Sequence, residues 1–340
     1  SQTMTALSKA LTVLHSVFKK RPRFPYLLYI MVMAIVDSAA VLFIQWGTYT
    51  EPTYTAPSTV DETTRLLNSI RGQLTRFVAQ MWMEQKYIWL LNFCVLGMVY
   101  LVLIFVLNRF WVATALFAII TSVFAVANHI KIQLRNEPVI PSDLSFISSG
   151  NGGEVASFIP KDSQALVNNT ITMLVWLTIA CLLLQFIDGR RCVISFHWRR
   201  PLRNTKTIIG NCTRIVAVIV STSLLCSFTL NLNTVGSWSH NWAQALGDSP
   251  TLWDAAGDAS LNGPTINFLR LANPKTMTKP SDYSQATMQE IAQRYNKIAE
   301  KTNQSRSNNL TDNTMIMILS ESFSDPTRVP GITLSEDPMP

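Results

Sequence analysis

The sequence is poor in charge: only 14% of its 340 residues are Asp, Glu, Lys or Arg, whereas soluble domains average about a quarter. Hydrophobic residues make up 48% of the chain. They are concentrated in a few runs of roughly 20 residues, which are too long for a water-exposed surface. The shortage of charge excludes a soluble globular protein and predicts a polytopic α-helical membrane protein.

Several functional patterns are missing from the sequence. It has no glycine-rich phosphate loop and no zincin, nucleophile-elbow or dinucleotide-binding motif. It has only five cysteines, which lie in apolar runs or in a basic loop between two of them: Cys94, Cys181, Cys192, Cys212 and Cys226. We therefore expect neither a disulfide framework nor a cysteine-ligated zinc site.

Acidic residues are in the minority, and the net charge is +7. A basic protein can bind nucleic acid, but here the basic residues cluster beside the apolar runs, where they more often set membrane topology. Nucleic acid is therefore not an expected partner.

Five apolar runs are long enough to cross a bilayer as helices. The predicted spans cover residues 26–46, 88–107, 110–130, 171–187 and 208–232. Basic residues are concentrated before the first run and between the fourth and fifth, and Arg109 is one of the two residues between the second and third. The positive-inside rule then predicts a multi-pass cell-membrane protein with a cytoplasmic N-terminus and everything after Asn233 outside.

The outside segments differ in character. Residues 67–81 have helical apolar spacing with interleaved arginines, which fits either a helix in the headgroup region or a helix capping the outer ends of the bundle. Residues 233–284 show no sustained period and are predicted to be a juxtamembrane linker. Residues 285–340 begin with an amphipathic helix from Met288. An apolar run at residues 315–319 follows, typical of a strand buried in a parallel sheet. We interpret this segment as the start of an extracellular α/β domain that the chain does not finish.

Asp37 lies near the middle of the first predicted span. A charged side chain at this depth costs roughly 2.5–3.5 kcal/mol on insertion scales. The other four spans hold no Lys or Arg at mid-depth. Two interpretations are open: a protonated Asp37 hydrogen-bonded to a neighbouring helix, or a proton or ion path.

Three charged residues follow the third span: Arg135, Glu137 and Asp143. They could form an outer-surface site for a lipid headgroup, with Arg135 facing the phosphate. Alternatively they brace the loop by pairing with one another or by capping a helix.

Glu321 directly follows the predicted buried strand. Ligands of open parallel sheets bind beyond the carboxyl ends of the strands, and a carboxylate is a hard donor that suits Mg²⁺ or Mn²⁺. Glu321 is therefore a candidate metal ligand, and the alternative is a surface or helix N-terminal carboxylate.

Three stretches carry a family resemblance. Residues 315–340 read MIMILSESFSDPTRVPGITLSEDPMP, residues 134–144 read LRNEPVIPSDL, and Asn262-Gly263-Pro264 is followed by Phe268-Leu269. They resemble the lipoteichoic acid synthase family, phosphoglycerol transferases of the sulfatase and alkaline phosphatase superfamily. Five spans followed by an outside sulfatase-like domain is the same layout.

The resemblance implies an enzyme of Gram-positive bacteria that transfers glycerol phosphate from phosphatidylglycerol to a cell-envelope glycan or glycolipid acceptor. In that family a glutamate at the end of a strand, here Glu321, coordinates a divalent ion, usually Mn²⁺. The ion activates a threonine nucleophile, which forms a covalent intermediate. The threonine and the remaining ligands belong to later segments than Pro340, so no catalytic residue can be assigned here, and we expect this chain to be inactive alone.

Two rival functions remain. A phosphoethanolamine transferase of the same superfamily would share the threonine chemistry and use a different donor lipid. A non-enzymatic lipid-handling or scaffold protein would use the bundle alone. The sequence has only one ionisable residue at mid-membrane depth and no span broken by Gly and Pro, which argues against a lipid transporter.

Overall fold

The structure is a computed structural model that describes residues 2–19, 21–157, 159–274, 277, 279–319, 325–328 and 330–336. Every regular element in these residues is helical. The α-helices are α1 (Gln2–Lys19), α2 (Tyr26–Thr48), α3 (Glu62–Asn68), α4 (Ile70–Met83), α5 (Ile88–Leu107), α6 (Phe110–Arg135), α7 (Pro141–Phe146), α8 (Gly152–Ser157), α9 (Gln164–Ile187), α10 (Thr205–Asn231), α11 (Trp238–Ala245), α12 (Ala255–Asn262), α13 (Pro264–Ala272) and α14 (Gln285–Asn303).

Five helices, α2, α5, α6, α9 and α10, are long and apolar enough to cross a membrane. The prediction of a polytopic helical membrane protein is thereby confirmed. Four of these helices are longer than predicted; the largest extensions are that of α6, which continues to Arg135, and that of α9, which begins at Gln164. Polar residues extend a helix beyond the lipid at little cost, because its backbone hydrogen bonds continue unchanged.

The core of the bundle is built around α6, which packs against α2, α5 and α9. Small side chains such as Ala113 and Ala125 are fully buried there and allow close helix approach. Aromatic rings fill the remaining space, with Tyr100 stacked on Phe117 at a centroid distance of 4.2 Å. By contrast α9 and α10 are largely exposed along their lengths, as lipid-facing helices are.

The segment at residues 67–81 forms parts of two helices, α3 and α4. Ser69 separates them, because its side chain accepts a hydrogen bond from the Gly72 amide at 3.1 Å and caps α4. Phe77 is only 2% exposed, and α4 packs against α2 and α5. This packing favours the interpretation in which the helix covers the bundle.

The predicted linker over residues 233–284 differs from the structure, which contains α11, α12 and α13 within it. These helices pack on the bundle through fully buried Ala243, Ala259 and Ile266. A helix of eight or nine residues completes too few turns to show a clear hydrophobic period. We call these three helices the outer layer.

Met277–Pro340 forms a separate unit. Its helix α14 begins at Gln285, and Ser284 is the cap, accepting from the Thr287 amide at 3.1 Å. The predicted strand at residues 315–319 is not formed; its five side chains are 59–87% exposed. A strand buried on both faces needs neighbouring strands, and the described part of this unit supplies none. The sulfatase-like domain therefore stays a prediction.

Candidate functional site

The predicted headgroup residues lie where α6 ends. Asn136 adopts a left-handed conformation (φ 52°) and its amide donates to the Ile132 carbonyl at 2.8 Å, which terminates the helix. The chain then folds back, and the Val139 amide donates to Asn128 Oδ1 at 3.0 Å. This reversal brings Asp143 close to the last turn of α6.

Lys131 is the centre of the charged cluster. Its Nζ lies 2.8 Å from Asp143 Oδ2 and 3.2 Å from Glu137 Oε2, and its side chain is only 16% exposed. Asp143 Oδ2 also accepts from the Ile140 amide at 2.9 Å and so caps α7. Glu137 and Asp143 therefore brace the loop through Lys131, which the sequence-based selection missed because it stands at the span boundary.

Arg135 is placed differently. It is exposed and is in no ion pair among the described residues. It borders an open cleft of about 600 Å³, lined by residues 132–136 together with Thr50, Glu51 and Ile70. Glu51 also lines the cleft, and its Oε1 accepts a hydrogen bond from the Ile70 amide at 3.2 Å.

The helices α2 and α6 pack closely one turn before Lys131 and Arg135. The Trp46 ring stacks on His129 at a centroid distance of 4.6 Å, and His129 Nδ1 lies 3.2 Å from the Gly47 carbonyl. A Cβ at Gly47 would lie 2.6 Å from the Ala125 carbonyl oxygen, so only glycine permits this approach. The two helices are thus fixed against each other within two residues of Lys131.

The outer layer contains a buried ion triad that sequence reasoning missed. Arg270 Nη2 lies 2.6 Å from Asp248 Oδ1, and Arg270 Nε lies 3.1 Å from Asp258 Oδ2, with all three side chains at most 2% exposed. Burial raises the pKa of Asp258 above its usual range, and Arg270 only partly offsets this. Burial acts to lower the pKa of Arg270, but the two carboxylates outweigh it and raise that pKa. The only signal in the sequence was an arginine between two leucines, Leu269 and Leu271, in α13.

The Asn262-Gly263-Pro264 motif connects this layer to the bundle. Asn92 Nδ2 on α5 donates to the Asn262 carbonyl at 2.9 Å. Gly263 has a φ of 95°, and a Cβ there would lie 2.2 Å from Asn92 Oδ1. Pro264 starts α13 without needing an amide hydrogen. The motif therefore has a packing role.

Asp37 is 1% exposed between helices of the bundle. Its Oδ1 has no hydrogen-bond partner among the described atoms, and a Cβ on Gly97 would lie 3.2 Å from Oδ2. The neighbouring helix thus makes room for the carboxyl group without supplying a partner for Oδ1.

The structure does not test the predicted metal site. Glu321 is not among the described residues. Within the residues that are described, no group of three or more His, Cys, Asp or Glu side chains is arranged to hold a metal ion. The Mn²⁺ or Mg²⁺ site at Glu321 stays a prediction.

Comparisons of the chain with protein-family models, with curated proteins and with solved structures find no match.

Proposed function

We propose that this chain is the membrane portion of a phosphoglycerol transferase, which moves glycerol phosphate from phosphatidylglycerol to a cell-envelope glycan or lipoteichoic acid chain. The observation that carries the proposal is the position of Arg135 on an open cleft at the end of α6. The sequence resemblance supplies the reaction class. In this proposal the headgroup of the donor lipid binds in the cleft beside Arg135.

Connectivity supports this placement. Consecutive spans alternate in direction, so the ends of α2, α6 and α10 share one side of the membrane. The cleft beside Arg135 therefore opens on the side at which the chain leaves the last span. With the N-terminus in the cytoplasm, that side is extracellular.

The chemistry of the cleft also supports a phosphate ligand. Lys131 is already neutralised by Glu137 and Asp143, and the exposed Arg135 is the cation that lines the cleft. A guanidinium group binds two phosphate oxygens with charge-assisted hydrogen bonds. The cleft volume of about 600 Å³ is within the range of small-ligand sites.

The transfer step belongs to the C-terminal segment. In this proposal Glu321 ligates Mn²⁺ or Mg²⁺, which would lower the pKa of the nucleophilic threonine hydroxyl and neutralise charge on the phosphoryl oxygens. The residues of the bundle hold the donor lipid with its headgroup at the outer surface.

Substitution of Arg135 tests the lipid site. We expect Arg135→Gln to weaken phosphatidylglycerol binding by the 340-residue chain about tenfold, the effect of losing one charge-assisted hydrogen bond. Binding is measured by native mass spectrometry of the detergent-solubilised chain. Arg71→Gln is the control, because Arg71 is also an exposed cation after the first span; it should change binding less than twofold.

Two results would contradict this lipid site. Equal losses in the two variants would mean that the cations act only through general charge. Stronger retention of phosphatidylethanolamine than of phosphatidylglycerol would favour the phosphoethanolamine transferase instead.

Reporter fusions test the orientation. We expect a reporter after Pro340 to be extracellular and one before Ser1 to be cytoplasmic, because five spans separate them. Alkaline phosphatase and green fluorescent protein fusions provide the two readouts. A cytoplasmic reporter after Pro340 would rule out the transferase proposal, since the segment could not reach an outer-leaflet donor.

A further inference from the structure

The N-terminal helix α1 has an apolar face without a partner. Residues 4, 7, 11 and 14 fall on one side of a helix with 3.6 residues per turn. These positions are occupied by Met4, Leu7, Leu11 and Leu14, whose side chains are 55–75% exposed. The opposite side carries Lys9 and hydroxyl residues. Unlike α2, this helix is not among the five candidate spans.

Charge in this region is of one sign. Residues 1–36 contain five basic residues and no Asp or Glu; the first acidic residue is Asp37. Four of the five basic residues are close together in the sequence, at the end of α1 and directly after it: Lys19, Lys20, Arg21 and Arg23. Such a segment complements an anionic surface.

The chain connection restricts where α1 can lie. It ends at Lys19 and α2 begins at Tyr26, and the residues between them reach at most about 22 Å. The helix is therefore held close to the bilayer surface from which the first span starts. Because of this tether, the effective concentration of lipid at the apolar face of α1 is higher than that of any soluble partner.

We propose that α1 lies in the plane of the leaflet at the N-terminal side of the membrane, with Met4, Leu7, Leu11 and Leu14 in the acyl boundary and the adjoining basic segment on anionic headgroups. This arrangement is that of an interfacial amphipathic helix. It does not depend on the transferase proposal, because α1 and the cleft at Arg135 lie at opposite ends of the spans.

Hydrogen exchange of the full chain in nanodiscs that each hold one copy tests the proposal. Backbone amides of α1 should exchange about tenfold more slowly in discs containing phosphatidylglycerol than in discs of phosphatidylcholine alone. Leu11→Gln should abolish this difference. Val13→Gln is the matched control, since Val13 is 61% exposed and Leu11 59% but lies away from the apolar face; it should leave the difference intact.

The charge requirement is tested by Lys19→Gln combined with Lys20→Gln, which should remove most of the tenfold difference and return α1 exchange close to the rate in phosphatidylcholine discs. Amides of α5 and α6 report that the bundle is intact. Equal exchange in both lipids, or equal effects of Leu11→Gln and Val13→Gln, would overturn the proposal. Protection that arises only in discs holding two copies would also overturn it and assign the apolar face to a second copy of the chain.

Discussion

Single buried polar residues hold the outer layer in place. Arg270 pairs with Asp248 and Asp258, and Asp258 Oδ1 also accepts from Asn262 Nδ2 at 2.7 Å. One cation thus pairs with two carboxylates in a site where all three side chains are at most 2% exposed. Such a group adds little net stability while intact, but its loss leaves uncompensated buried charge.

We expect Arg270→Met to lower the free energy of unfolding by about 3–5 kcal/mol, because two buried carboxylates lose their cation. Thermal unfolding of the detergent-solubilised chain measures this. Arg76→Met is the control: the Arg76 pair with Glu84 has a similar distance, 3.3 Å, but the arginine side chain is 72% exposed, so its loss should cost less than about 1 kcal/mol.

Adding Asp248→Asn and Asp258→Asn to Arg270→Met should restore part of the lost stability, because no buried charge then remains unpaired. A combined variant less stable than Arg270→Met alone would contradict this explanation.

Residue roles were only partly predictable from sequence. Asp37 is apparent because a carboxylate inside an apolar run is rare. Arg270 and Lys131 are not, because the partners of Arg270 lie on other elements and those of Lys131 in the loop that folds back after its own helix. Tertiary packing decides which charged residues form ion pairs, and the order of these residues in the sequence does not reveal the pairs.

At the scale of elements, three of the spans, α2, α6 and α9, are tied together at one end by Asp188, which directly follows α9 and is fully buried. It accepts hydrogen bonds from the Phe24 amide at 3.0 Å, from Trp111 Nε1 at 3.2 Å and from the Tyr29 hydroxyl. The segment before α2, the start of α6 and the end of α9 therefore share one acceptor group.

We expect Asp188→Ala to destabilise the chain by about 3 kcal/mol, because several buried donors lose their acceptor together. Asp188→Asn keeps one oxygen and should cost less. Asp61→Ala serves as the control, since Asp61 precedes α3 without a side-chain capping bond and should cost under about 0.5 kcal/mol. Melting temperatures in one detergent compare the four chains, and equal melting of Asp188→Ala and Asp61→Ala would contradict the role of Asp188.

Sequence patterns predicted elements unequally. The five spans were found because backbone groups in lipid require a helix of roughly 20 apolar residues, a signal few other structures produce. The outer layer was missed because its short helices depend on a few contacts, such as those of Ile266 and Ala243. The predicted strand at residues 315–319 rested on an apolar run alone, which does not reveal whether partner strands are present.

At the scale of the molecule, the outer layer belongs to the membrane unit. Contacts divide the chain into Ser1–Thr276 and Met277–Pro340, so α11, α12 and α13 fall on the membrane side of the boundary. They cover a cluster in which Leu91, Val95 and Phe228 are fully buried. The outer layer therefore completes the hydrophobic core of the bundle, and it also contains the chain that leads to residue 277.

Truncation distinguishes a layer that completes the bundle from a linker. A chain ending after residue 276 should melt within about 2 °C of the full chain, because every contact of the outer layer is retained.

A chain ending after Asn233 lacks the outer layer, so Leu91 and Val95 lose their packing against Ile266 and Ala243. It also removes the partners of Gln45 and Asn92, which donate to the Ser260 and Asn262 carbonyls. Since each lost buried aliphatic contact costs about 1.5–3 kcal/mol, this chain should melt much lower and form aggregates in size-exclusion chromatography. If it is instead monodisperse with an unchanged melting temperature, residues 233–274 act as a linker and the bundle is complete without them.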